Sequence, residues 1–154
     1  MKRQQLPRAL ALCLSALVYG SIAFAQEQRV QLKDLPPAVR ATVQEQSKGA
    51  RLRGLSKELE QGRTIYEAEL LVNGHNKDLL IDQSGAIIEI EEQVALNSLP
   101  TAVQTTIKQQ AGKGRILLVE TVTKGSTLEF YEAHIRNGRR ATEVKVSADG
   151  QLVK

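Results

Sequence analysis

His75 and His134 are the only two histidines in this chain of 154 residues, and Cys13 is its only cysteine. Hydrolytic chemistry needs a positioned nucleophile and base, or a metal with an open coordination position. His75 falls at a predicted hairpin turn and His134 on the outward face of a predicted strand. Neither has a second His or Cys at ligand spacing, so both read as exposed histidines without a role. Carboxylates form a second group, with Asp82, Glu89, Glu91 and Glu92 close together in "IDQSGAIIEIEEQ". Oxygen donors of this kind suit Ca²⁺, but the spacing is not that of an EF-hand. Glu89 and Glu91 alternate with Ile88 and Ile90, as on the wet face of a strand. The sequence therefore predicts no catalytic residue, no metal ligand and no cofactor: the protein is not expected to be an enzyme.

The sharpest local charge feature is "IRNGRR". Arg136, Arg139 and Arg140 flank a predicted hairpin tip, where their guanidinium groups can project together toward a carboxylate-rich protein surface or an anionic polymer. These three arginines are the candidate protein-binding residues, weighed against a merely solubilising turn.

The chain begins with Lys2, Arg3 and Arg8, continues through the apolar "ALALCLSALVYGSIA" and reaches the small-x-small triplet Ala23-Phe24-Ala25. That is the layout of a secretory signal peptide over residues 1–25, cleaved after Ala25. The apolar run is about 15 residues, short of the roughly 20 that span a bilayer, so no membrane span is expected after signal removal. The protein is expected to be periplasmic or secreted. Cys13 lies within the discarded segment, which leaves no disulfide to stabilise the exported chain.

Signal removal also changes the charge. The full chain has 21 basic and 17 acidic residues; without Lys2, Arg3 and Arg8 the balance is 18 to 17, or +1. The basic pI is thus largely a property of the leader. Only Tyr66, Phe130 and Tyr131 remain as aromatics, so there is neither a basic footprint nor a stacking platform for nucleic acid.

The remaining chain repeats itself. At an offset of 64, "LPPAVRATV" from Leu35 falls on "LPTAVQTTI" from Leu99; at 65, Tyr66-Glu67-Ala68 falls on Tyr131-Glu132-Ala133 and Gly85 on Gly150. Asn73-Gly74 and Asn137-Gly138 match only after a one-residue adjustment. Two copies are expected, over 26–94 and 95–154. Each begins with a helix near Pro36 or Pro100, because proline favours the first helical position and keeps the preceding residue extended. Leu35, Val39 and Val43, and Leu99, Val103 and Ile107, form the apolar stripes.

Strands follow in each copy. Tyr66, Ala68, Leu70 and Val72 alternate with Glu67, Glu69 and Leu71, and Tyr131, Ala133 and Ile135 with Glu132, His134 and Arg136. Asn-Gly between two such runs favours a two-residue hairpin, since both central residues take positive φ. The expected fold is α+β: two tandem repeats, each a helix packed on an antiparallel sheet of three to four strands. At roughly 60–65 residues each copy is near the lower limit of independent stability, which packing of one copy on the other, for instance as a continuous sheet, would relieve. The copies differ in charge, with 9 basic and 12 acidic groups in 26–94 against 9 and 5 in 95–154.

The segments "LPPAV…YEAELLVNG…LLIDQSG" and "LPTAV…YEAHIRNG…VKVSADG" resemble the PepSY and PepSY-like domains of secreted bacterial proteins. The tandem helix-on-sheet arrangement is also similar to that of β-lactamase inhibitory proteins. The resemblance implies a non-catalytic module that binds a protein partner in the periplasm or cell envelope, an inhibitor of a secreted peptidase or other envelope enzyme being its specific form. The surfaces implied are the exposed sheet faces with Glu67, Glu69, Glu132 and Arg136. A periplasmic sensor responsive to a small ligand or cation is the alternative.

Overall fold

The computed structural model describes residues 27–153, so the expected signal peptide and its cleavage site lie outside the described residues. Nine strands form one antiparallel sheet in strict chain order: β1 (Gln28–Arg29), β2 (Arg51–Glu60), β3 (Arg63–Val72), β4 (His75–Ile81), β5 (Ile87–Gln93), β6 (Arg115–Lys124), β7 (Thr127–Asn137), β8 (Arg140–Val146) and β9 (Leu152–Val153). Helix α1 (Pro37–Gln46) lies between β1 and β2, and α2 (Thr101–Ala111) between β5 and β6. This corrects the expected fold class. The chain is one nine-stranded sheet with two short helices, rather than two repeats with a helix on its own sheet of three to four strands. The reason is the seam: Ile90 to Gln93 of β5 pair with Glu120 to Thr123 of β6, so the ladder runs unbroken through the middle of the chain. A continuous ladder satisfies the backbone groups that two separate sheets would leave at their edges. The outermost strands, β1 and β9, are only two residues long.

Both helices cover the same face. Pro36 and Pro100 are the N-caps, in extended conformation, so each helix starts where the prolines place it. Val39 and Val43 pack with Leu55, Tyr66, Ala68, Leu70, Leu79 and Ile81. Val103, Ile107 and Ala111 pack with Val119, Ala133, Ile135 and Val146. Ile90, which packs on the first cluster, is opposite Thr123, an even number of residues from Val119, and so the helix-covered face continues across the seam. Tyr66, Ala68, Leu70, Ala133 and Ile135 thus face inward as the alternation requires.

Each helix is tied to the turn that crosses it. Thr42 Oγ1 donates to the Gly85 carbonyl and Thr106 Oγ1 to that of Gly150, both at 2.7 Å. Gly85 and Gly150 have φ of +87° and +88°, and a Cβ on either would press into the Ala38 or Ala102 backbone or side chain at 2.8 Å. Positive φ and close approach together require glycine there.

The two Asn-Gly pairs make different turns. Asn73 and Gly74 are the central residues between Val72 and His75, with φ of 52° and 87°, as in a type I′ hairpin. In the second hairpin Asn137 is itself paired with Arg140, and Gly138 and Arg139 are central; of these only Gly138 has positive φ. The one-residue adjustment between the two sequences is therefore a change of turn.

Candidate functional site on the open sheet face

Among the described residues nothing covers the face away from the helices, and its side chains are the alternates of the core residues: Glu67 and Glu69 on β3, Asp78 and Leu80 on β4, Glu91 on β5, Glu120 and Val122 on β6, Phe130, Glu132 and His134 on β7, and Glu143 and Lys145 on β8. Solvent is not what most of them meet. Glu120 is 2% exposed and Glu132 7%, while Ile65 and Val122 are buried without belonging to either helix-side core. The expectation that Glu67 and Glu132 stand exposed is corrected. Long neighbouring side chains on a wide sheet shield one another, which no edge strand or isolated hairpin allows.

Glu69 of β3, paired with Arg29 at 3.2 Å, stands opposite Asp78 of β4, and two further pairs of carboxylates lie directly opposite across adjacent strands. Asp78 of β4 faces Glu91 of β5, and Glu120 of β6 faces Glu132 of β7. Like charges in this position repel. The second pair is bridged: His134 Nε2 lies 3.1 Å from Glu120 Oε2 and 3.5 Å from Glu132 Oε1, and Lys145 Nζ is 3.5 Å from Glu132 Oε2. The hydrogen bond to Glu120 raises the His134 pKa against the opposing effect of burial. Glu132 is nonetheless raised, mainly by burial. The expectation of an exposed His134 without a role is corrected: it is half-buried and neutralises a buried carboxylate.

The first pair has no such partner. Neither Asp78 nor Glu91 enters an ion pair among the described residues. Burial, then the Glu67 carboxylate, pushes Asp78 up to about 6. Burial, then Glu132, pushes Glu91 up to about 8. Glu67 is also raised, chiefly by burial, although Ser56 Oγ donates to it at 3.1 Å. Asp78, Glu91 and Glu120 each place one carboxylate oxygen within 4.8 Å of the others, and so do ligand atoms of Glu132, His134 and Glu143.

The carboxylates singled out in the sequence disperse. Asp82 binds the Ser84 and Ala86 amides within its own turn, Glu89 pairs with Lys124 at 3.2 Å, and Glu92 pairs with Lys77 at 2.6 Å. Only Glu91 stays in the group; Asp78 and Glu120 were missed. Their signal is cross-strand register, which bulges after Leu80, Ile116 and Val122 displace. His75 is exposed at the start of β4. Arg136, Arg139 and Arg140 are exposed at the β7–β8 tip and enter no ion pair among the described residues. Arg136 lies opposite Arg115 of β6, so the tip is more basic than the local sequence indicates.

Beside the carboxylates a groove is lined by Ile65, Leu80, Ile88 and Phe130 together with a larger number of polar and charged residues, among them Glu58, Glu60, Arg63, Glu89, Lys124 and Lys145. Lys145 Nζ sits 4.8 Å from the centre of the Phe130 ring, a cation–π contact. The open face therefore combines apolar side chains, unpaired acid and a few cations.

No protein-family model matches the sequence, and no curated protein matches it. Solved structures do share the fold. A periplasmic protein from Bacteroides eggerthii superposes with a TM-score of 0.61 at 13% identity, covering 78% of this chain and 86% of its own. A DUF2874 family protein from Bacteroides ovatus gives 0.56 at 16% identity, covering 78% and 85%. A BLIP-like protein from Bacteroides fragilis gives 0.52 at 18% identity, covering 76% and 82%. At these identities the likeness is one of fold. It agrees with a BLIP-like architecture.

Proposed function

We propose that the protein is an exported, non-catalytic binding module of the periplasm or cell envelope, and that it receives a protein partner on the open face of its sheet. One observation carries this: helices cover one face of a nine-stranded sheet, while the other joins a groove of mixed polar and apolar lining to partly desolvated carboxylates that no other described element covers. A face that mixes apolar side chains with charged ones in this way has the composition of an interface. The periplasmic description of the Bacteroides eggerthii fold neighbour and the basic, apolar start of the chain support export. Among the described residues no helix is long and apolar enough to cross a membrane. Inhibition of a secreted peptidase or another envelope enzyme is the specific form, supported by the likeness to a BLIP-like protein.

The test compares capture from periplasmic extract by the parent, by Phe130→Ala and by Arg136→Ala/Arg139→Ala/Arg140→Ala, followed by assay of the captured protein with and without the parent. Loss of the partner in Phe130→Ala, with folding intact, supports docking on the open face. Retention there with loss in the triple variant moves the interface to the basic tip. If the parent captures nothing saturably, the binding-module reading is wrong. If the captured enzyme keeps full activity, inhibition is wrong.

A further inference from the structure

Asp78, Glu91 and Glu120 come from three consecutive strands, and one carboxylate oxygen of each lies within 4.8 Å of the others. Three oxygens at that spacing leave a common centre no more than about 2.8 Å from each, close to the Ca²⁺–oxygen range of about 2.3–2.6 Å. A second observation is independent of the clustering. Glu120 is 2% exposed; its Oε2 is taken by His134, but its Oε1 is buried without any hydrogen-bond partner. A buried carboxylate oxygen left unpaired is costly, and it calls for a cation that the protein's own side chains do not supply.

We propose that Asp78, Glu91 and Glu120 form a divalent-cation site of the Ca²⁺ class, where the sequence had led us to expect no metal. All three donors are hard carboxylate oxygens, which select Ca²⁺ over thiolate- and imidazole-preferring metals. Three protein ligands leave positions for water, and the uncovered face provides them. Ca²⁺, with its six to eight ligands and tolerant geometry, fits such a half-open site better than Mg²⁺, which demands a near-ideal octahedron. The neighbouring Glu132–His134–Glu143 group is not a second site of this kind: the Nε2 of its imidazole is already engaged by Glu120 at 3.1 Å. The bound ion would lie between the groove and that bridged pair, and would offset two of the three carboxylate charges at the middle of the face.

The proposal goes beyond partner binding and does not depend on it, because the isolated protein is measured. Chelator-treated protein at neutral pH is titrated with calcium chloride to 5 mM, a range that includes the weak sites of extracellular modules, by calorimetry and thermal melting. The expected result is one ion per chain and a saturable rise in melting temperature of several degrees, with a weaker response to magnesium chloride. Asp78→Asn and Glu91→Gln keep the fold by circular dichroism and lose the response; Glu143→Gln keeps it. Absence of heat and of any shift in the parent overturns the proposal, as does an undiminished response in the Asp78→Asn/Glu91→Gln double variant. A response abolished by Glu143→Gln instead places the ion at the wrong group and also overturns it. Failure to capture a partner leaves each of these readouts unchanged.

Discussion

Two of the facing pairs of carboxylates on the open face, Asp78–Glu91 and Glu120–Glu132, differ in what lies beside them. Glu120 and Glu132 are the more buried pair, yet His134 spans both and Lys145 closes the outer side. Asp78 and Glu91 are less buried and have no cation within ion-pair distance among the described residues, and theirs are the carboxyl groups pushed up to about 6 and about 8. Burial is the first cause of both shifts, and the neighbouring carboxylates add to it where no close cation stands against them. The β7–β8 hairpin provides both cations, and no strand adjoining β4 or β5 places a basic side chain between Asp78 and Glu91. One half of the face is internally neutralised, and the other is left to a ligand or to protons.

The largest way to break that difference is to remove the bridge. His134→Ala leaves the Glu120 carboxylate buried with neither oxygen hydrogen-bonded, and should cost about 1–3 kcal/mol in urea unfolding at neutral pH. His134→Lys, which keeps a cation, should recover part of it. Glu91→Gln acts the other way. It removes a desolvated, repelled charge and should stabilise the chelated protein at about pH 8 by roughly 1 kcal/mol once solvent screening of this partly exposed group is allowed for, a rise of about 3–5 °C in Tm. The smallest effect belongs to Glu143→Gln. Its side chain is 61% exposed and 3.7 Å from His134 Nδ1, so unfolding should shift by no more than about 0.5 kcal/mol.

How these groups would meet was only partly legible in the sequence. Pro36, Pro100 and the stripes through Val39–Val43 and Val103–Ile107 placed both helices, because helix starts and apolar faces are local properties. The period-two alternation through Tyr66 and Tyr131 assigned the two sheet faces correctly. Alternation does not reveal which residues stand opposite, however. Asp78 meets Glu91 across the β4–β5 turn and Glu120 meets Glu132 across β6–β7, and single-residue bulges within both ladders shift the register. A bulge costs the sequence no distinctive residue at Leu80 or Ile116, so no local signal announced the pairs. His134 was read as idle for the same reason: its partner lies fourteen residues earlier on another strand. The fold class failed at the seam, where the short apolar run "IIEIEEQ" at the end of one half pairs with "RILLVETVTK" of the other instead of closing its own sheet.

The account stands on the claim that Asp78–Glu91 lacks a counter-charge that Glu120–Glu132 possesses, and stability against pH tests it most directly. Carboxyls whose folded pKa lies above the ordinary 4.5, and an imidazole raised above 6.5, bind protons more tightly in the folded state. The stability they contribute is full below those values and is lost as pH rises through the folded ones, to about 8 for Glu91. Asp82 and Asp149, held low by their turns, act in the opposite sense only below about 3.8 and so outside this window. Urea unfolding of chelated parent, Glu91→Gln and Glu143→Gln should be followed between about pH 5 and pH 8. The account predicts that the parent loses stability across that window, that Glu91→Gln removes much of the loss, and that Glu143→Gln follows the parent. Equal slopes for the parent and Glu91→Gln would contradict it.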